Sequence, residues 1–209
     1  MSSLYATPMQ TFLEFIKVIA FALVLAFIIR IFIIQPYYIP SGSMISTLLE
    51  GDRLFVAKFS YGIHLPFIAK EVVSTGEPRV GDVIVFPYPE DPSVDFVKRV
   101  VGVAGDTLEV RNKQLYRNGV PVAEPYIRHT DPLITSGVRD NMSSVTVPEG
   151  KVFVLGDNRD ESRDSRYWGF VDKDTIRGRA FMIFWSSEDL FKIRWDRIGQ
   201  MLTTYRLEN

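Results

Sequence analysis

From Thr11 to Ile34 the sequence reads TFLEFIKVIAFALVLAFIIRIFII, with an unbroken apolar run from Val18 to Ile29 and only Glu14, Lys17 and Arg30 as charges. A helix needs about 20 apolar residues to cross a bilayer, so residues 11–34 are predicted to form a transmembrane anchor. The charges stand near the ends, where long stems reach the headgroups. A buried core helix would need packing partners on every side, and the strand-patterned remainder of the chain is a poor sheath for one. A cleavable secretory signal is disfavoured because no small-x-small site follows and the chain runs on through Arg30 into QPYYIP. Lys17 against Glu14 leaves the flanking charge too even to set orientation. No second apolar run of spanning length follows Pro40, so the rest is expected to be one body tethered on one side.

After Pro36 the period shortens to two. RLFVAKF (Arg53–Phe59), DVIVFPY (Asp82–Tyr88), DFVKRVVGV (Asp95–Val103), DTLEVRN (Asp106–Asn112), KVFVLG (Lys151–Gly156) and GRAFMIFW (Gly178–Trp185) are β-branched and aromatic, and are bounded by Gly, Pro and Asp. They are predicted strands. Asn118-Gly119, between QLYR and VPVA, is a two-residue hairpin signal because both residues tolerate positive φ. Residues 112–148 are rich in Pro, Gly, Ser and Asn and are expected to form an inserted ribbon. The fold class read from this is mainly β: an anchor helix followed by a mostly antiparallel β domain over residues 36–209, with few short helices.

Charge and composition narrow the chemistry. With 24 Lys+Arg against 25 Asp+Glu the net charge is −1, so bulk electrostatics give no support to a nucleic-acid partner. There is no cysteine, hence no disulfide, thiolate metal site or thiol nucleophile. The chemistry-bearing residue types concentrate in IPSGSM (Ile39–Met44), FVKRVVGVAGD (Phe96–Asp106) and GDNRDESRDSRYWGF (Gly156–Phe170), whereas EGDRLFVAK (Glu50–Lys58) reads as a turn and a strand. In the last block Arg159, Arg163 and Arg166 interleave with Asp157, Asp160, Glu161 and Asp164, without the internal glycine of a calcium loop, so an ion-pair network is expected and no metal.

A serine is a weak nucleophile unless a base takes its proton. His64 and His129 are the two histidines, and each reads as a surface or packing residue. A lysine serves as the base only if burial lowers its pKa from about 10.4. Lys98 lies in an apolar strand, where alternation puts Phe96, Lys98 and Val100 on one face and turns Arg99 away. From spacing alone an edge-strand lysine that blunts aggregation is the favoured reading.

PSGSM closely after an apolar span, then KRVVGVAGD, then GDNRDESRDSRYWGFV, in that order, resemble bacterial type I signal peptidase. The likeness extends from the anchor to GRAFMIFW and leaves aside residues 112–148. It implies a membrane-bound serine endopeptidase that removes signal peptides from exported preproteins, cutting after small residues at the first and third positions before the scissile bond. Carried over residue by residue, Ser43 is the nucleophile and Lys98 its general base. Ser41 and the Ser43 amide form an oxyanion hole. Ser162 hydrogen-bonds and orients the lysine, and Asp164 and Arg166 form a charged pair supporting the site, with no carboxylate close enough to recharge Lys98. Ile39 and Val97 match pocket-lining positions, for which ordinary core packing is the alternative. Signal peptides and membrane lipid are the implied partners, with no cofactor and no nucleic acid. Residues 1–10 would be a cytoplasmic tail and the β domain would lie on the outer face of the inner or plasma membrane. Trp168, Trp185 and Trp195 are candidates to dip into lipid.

One departure stands out. The family commonly has proline two residues after the Met, and this chain has Ser46, which frees φ and restores an amide, so a looser turn behind Ser43 is expected. Two other readings remain open: a Ser/Lys peptidase of narrower task, such as one that processes pilins or conjugation proteins or a self-cleaving repressor, and a non-catalytic, membrane-tethered binding protein on the same β fold.

Overall fold

Helix α1, Pro8–Phe32, exposes every described side chain from Thr11 to Ala26, with Phe21 at 69% and Val18 at 65%. The computed structural model describes residues 8–61, 63–64, 71–73, 76–189 and 191–203. Most of the tail expected over residues 1–10, the side chains of residues 27–32 and the His64 side chain fall outside the described residues. Among the described residues no helix is long and apolar enough to cross a membrane. The span expected over residues 11–34 therefore draws its support from sequence and from the exposure of α1.

Pro36 cannot continue a helix, and the chain leaves α1 directly into strand β1 (Ile34–Tyr38). The strands that follow are β2 (Asp52–Ala57), β3 (Ile63–His64), β4 (Glu71–Val73), β5 (Val83–Tyr88), β6 (Asp91–Val103), β7 (Thr107–Arg111), β8 (Gln114–Arg117), β9 (Val120–Pro121), β10 (Met142–Thr146), β11 (Lys151–Leu155), β12 (Val171–Asp172) and β13 (Gly178–Ser186). Helix α2 is a single turn, Ser165–Trp168. The main sheet runs β1-β2-β13-β5-β6-β11-β12, and a second runs β10-β7-β8-β9. All their pairings are antiparallel, so the mainly β expectation holds. The second sheet already begins at Thr107, upstream of the stretch flagged from composition. Asn118 (φ 55°) and Gly119 (φ 82°) make the tight turn between β8 and β9.

Strict alternation buries the main sheet on both faces. Val83 and Val85 join Ile39, Met44, Leu48, Leu54, Val56, Ala180 and Ile183 on one side. Ile84 and Phe86 join Val100, Val152, Val154, Val171 and Ile176 on the other. Each such aliphatic side chain contributes about 1.5–3 kcal/mol, and the first group lies directly behind the Ser43 turn. Trp168 does not reach for lipid as expected: it packs against Phe86 and Tyr88, with ring centroids at 5.9 and 6.3 Å. Trp195 is 71% exposed and lies edge-on to Trp185.

Pairing along β6 is uneven, and this positions the site. Its whole length from Asp91 to Arg99 pairs with β5, but β11 reaches only from Val103 back to Arg99. Residues 91–98 thus keep one strand edge open among the described residues.

Asp52, with a fully buried side chain, ties the stretch behind Ser43 to the C-terminal segment. It accepts from Leu49 N (2.8 Å), Ser186 Oγ (2.6 Å) and Arg197 Nη2 (2.6 Å), and Arg197 also bonds the Thr47 carbonyl. Removing one member of such a buried pair strands the other. Asp52→Ala is expected to lower the free energy of unfolding by about 3–5 kcal/mol, read as a midpoint shift in urea; a loss below about 1 kcal/mol would show that this knot does not hold the segment.

Candidate active site

The nucleophile candidate sits on a tight turn. Gly42–Met44 form one turn of 3-10 helix, closed by Ile45 N on the Gly42 carbonyl at 3.1 Å, and Met44 anchors it in the core at 1% exposure. Asn158 grips the turn from outside, its amide N bonding Ser43 O at 3.1 Å and its Nδ2 bonding Gly42 O at 3.1 Å. The looseness expected of Ser46 is not found. Its hydroxyl donates to the Tyr126 carbonyl at 2.7 Å, and Thr47 donates to Asp157 at 2.5 Å, so side-chain hydrogen bonds do what a fixed φ would otherwise do.

Lys98 meets this turn. Its Nζ lies 2.6 Å from Ser43 Oγ and 3.1 Å from the Val97 carbonyl, and the residue is 3% exposed. Burial disfavours the charged amine and is the chief reason its pKa falls from 10.5 to about 8; Asp164 and Asp157 oppose that shift and Arg166 assists it. The expectation of no carboxylate nearby is thereby corrected: two are within electrostatic reach, and both are neutralised. Arg99 holds Asp157 through Nε–Oδ1 at 2.9 Å and Nη2–Oδ2 at 2.7 Å. Arg166 holds Asp164 through Nε–Oδ1 at 2.8 Å and Nη2–Oδ2 at 2.8 Å, while Gly156 N donates to Asp164 Oδ2 at 3.0 Å. Bidentate pairing satisfies each carboxylate in place.

Ser162 departs from its expected role. Its Oγ is buried and makes no hydrogen bond, to Lys98 or to anything else described. It lies against Gly156 instead, where a Cβ would stand 2.2 Å from Ser162 Oγ and 2.5 Å from the Ser43 carbonyl. A side chain at 156 would push both serines aside, which is why glycine is needed there. His129 contacts Asp160 at 3.2 Å. The GDNRDESRDSR block forms the ion-pair network that its alternating signs imply, with Asp160 taken by Lys113 at 2.7 Å and Arg159 by Glu124 at 2.5 Å.

Ser41, Ser43, Lys98, Ile39 and Val97 all line one groove of about 340 Å³, together with Tyr37, Met44, Asp95 and Phe96. Sequence reasoning missed Arg99, Asn158, Tyr126 and Gly156. Arg99 had a signal, a fully charged residue inside an apolar strand; its side chain is 0% exposed and its guanidinium stacks 4.1 Å from the Tyr126 ring. A hydroxyl held against a buried, deprotonatable amine, beside an apolar groove, can carry out acyl transfer.

The family model for signal peptidase, peptidase S26, matches residues 12–185. The chain belongs to this family. A probable signal peptidase I-1 of Synechocystis is 40% identical over 200 residues, covering 92% of this chain and 90% of its own. Signal peptidase I of Pseudomonas fluorescens is 40% identical, covering 78% of this chain and 69% of its own, and that of Bacillus licheniformis is 36% identical, covering 86% and 91%. A crystal structure of a signal peptidase I from Enterococcus faecalis V583 shares 37% identity, with coverage of 49% and 96% and a TM-score of 0.42. As a member of the signal peptidase family the chain is a peptidase.

An amine that gives up its proton on folding has a cost in stability. The unfolded chain keeps that proton up to about 10.5 and the folded one only to about 8, so between these values the unfolded state binds more protons and stability rises with pH. Below pH 8 the full penalty applies, roughly 3 kcal/mol. Lys98→Met is expected to stabilise the protein by about 2–3 kcal/mol at pH 7 and by progressively less as pH climbs to 10.5, measured by urea unfolding across that range. No gain at pH 7 would mean the amine is not desolvated.

Proposed function

We propose that this chain is a membrane-anchored serine endopeptidase that removes signal peptides from exported preproteins, with Ser43 as nucleophile and Lys98 as general base. The observation that carries this is the 2.6 Å contact between Ser43 Oγ and a Lys98 Nζ buried to 3% exposure. Neutral Lys98 takes the Ser43 proton as Oγ attacks the scissile carbonyl, and the resulting ammonium returns that proton to the departing amine. The acyl-serine is released when Lys98 takes a proton from a water, which attacks the ester carbonyl, and the proton returns to Ser43 Oγ. The Ser41 hydroxyl and Ser43 N–H serve the oxyanion, donating to charge that exists only in the transition state. Asp164 and Arg166 support this by holding Gly156, and with it the wall against Ser43.

The substrate binds as an extended strand along the open edge of β6, with alternate side chains entering the groove. Ile39 and Val97 wall the pocket nearest Ser43, and its shallow apolar sides favour a small residue immediately before the cut. Exposed apolar side chains along α1 support anchoring in the bilayer, which brings the site to substrates that are themselves embedded there and raises their effective concentration. The β domain lies on the extracytoplasmic face, with the N-terminal tail in the cytoplasm.

In vesicles or detergent, Ser43→Ala and Lys98→Ala are each expected to cut a preprotein at least about 10³-fold more slowly with the fold retained. The wild-type kcat is expected to climb about tenfold per pH unit and level off above about 8, as Lys98 loses its proton. Full activity in either variant, or a flat profile across that range, overturns the dyad.

A further inference from the structure

The groove is walled by two extended segments, one running from Tyr37 to Ser41 and the other from Val94 to Lys98. Side chains two apart on a strand share a face, and this sorts the walls into pairs. Ile39 and Val97 face each other in one apolar group near Ser43. Two residues further from the dyad on each wall stand Tyr37 and Asp95. An extended substrate has the same repeat, about 6.8 Å for every second residue. A chain that offers its first residue before the cut to Ile39 and Val97 therefore offers its third to Tyr37 and Asp95.

That second pair is polar. Tyr37 OH and the Asp95 carboxylate stand in the two walls of one groove, close enough for the carboxylate to act on the hydroxyl although β1 and β6 are not neighbours in the sheet. Burial, followed by the charge of Asp95, pushes the Tyr37 hydroxyl up to about 12, with Arg177 opposing. Arg177 Nε stands 3.5 Å from Asp95 Oδ1, so the carboxylate is already answered by a cation. A second cation gains little there. A small hydroxyl, by contrast, finds oxygens able to accept its hydrogen, whereas an aliphatic side chain of equal size would cover those oxygens and shut out the water they use.

We propose that Tyr37 and Asp95 make the pocket for the third residue before the cut selective for small hydroxyl-bearing side chains over aliphatic ones of the same shape. This rests on the peptidase reading above and narrows its substrate class. Threonine and valine are the natural pair, nearly equal in volume and different by one hydroxyl.

The test uses the full chain in detergent micelles and peptides that are identical except for Thr, Val, Lys or Ala at the third position, with Ala immediately before the cut. The wild type is expected to cut the Thr peptide about fivefold faster than the Val peptide in kcat/KM, the ordinary net worth of one neutral hydrogen bond. In Tyr37→Phe/Asp95→Leu the ratio is expected to fall to one or below. Ratios are taken within each protein, so partial loss of folded enzyme cancels, and Asp95→Leu alone carries the comparison if the double variant is inactive. A wild-type ratio of one or less overturns the proposal, as does a ratio unchanged by the variants. Faster cutting of the Lys peptide than of the Thr peptide overturns it in favour of an anionic pocket. Failure of the wild type to cut even the Ala peptide would instead count against the peptidase reading itself, which separates the two.

Discussion

A lysine amine can take a proton from a serine only where water does not keep it charged, and the interior of this domain is arranged around that condition. Burial alone would suffice in an apolar pocket, but the loop that shields Lys98 also carries Asp157 and Asp164, whose fields work against it. The fold resolves the conflict by giving each carboxylate its own guanidinium. Arg99 extends from the residue next to Lys98 on β6, and Arg166 from the turn that Asp164 caps. Charge is thus present around the site but locally balanced, and the shift to about 8 survives.

The same pairs act mechanically. The Arg99–Asp157 pair receives Thr47 from the segment just after Ser43, and Arg99 rests on Tyr126, which contributes its carbonyl to Ser46. Arg159 spans from the loop that follows β11 to Glu124, and Arg166 reaches the carbonyls of Arg139 and Arg159. The connection between β9 and β10 therefore braces the loop that braces Ser43. Buried ion pairs of this kind add little net stability; their directional bidentate geometry sets where the loop sits.

Much of this was legible from local pattern. The apolar stretch appears as α1, the six predicted strand segments appear as strands, and Asn118-Gly119 turns where its φ tolerance requires. Ser43 and Lys98 stood out because their surroundings matched an ordered set of motifs, and alternation correctly turned Arg99 away from Lys98. Alternation says nothing of what a side chain meets on the far face, however, so the pairing of Arg99 with Asp157 stayed hidden. Tyr126 was invisible for a related reason: it lies outside any strand and acts through a backbone carbonyl, which no residue type announces. Ser46 misled because a lost proline was weighed without the hydroxyl that replaced it. For Ser162 the family pattern suggested a bond to the lysine, while its hydroxyl is buried against Gly156 without a hydrogen bond.

The open edge of β6 lies between parts of the chain that arrive at very different times. Ser43 and Lys98 are 55 residues apart, and Asn158, which grips the Ser43 turn, is 116 residues from its partner Gly42. The strand that joins β2 to β5 is β13, which follows every other described strand in sequence. No early fragment contains a working arrangement of hydroxyl, amine and clamp. The hydroxyl, the amine and the clamp are therefore brought into register by the closed sheet and by no local segment, with β13 bridging the half that carries Ser43 to the half that carries Lys98.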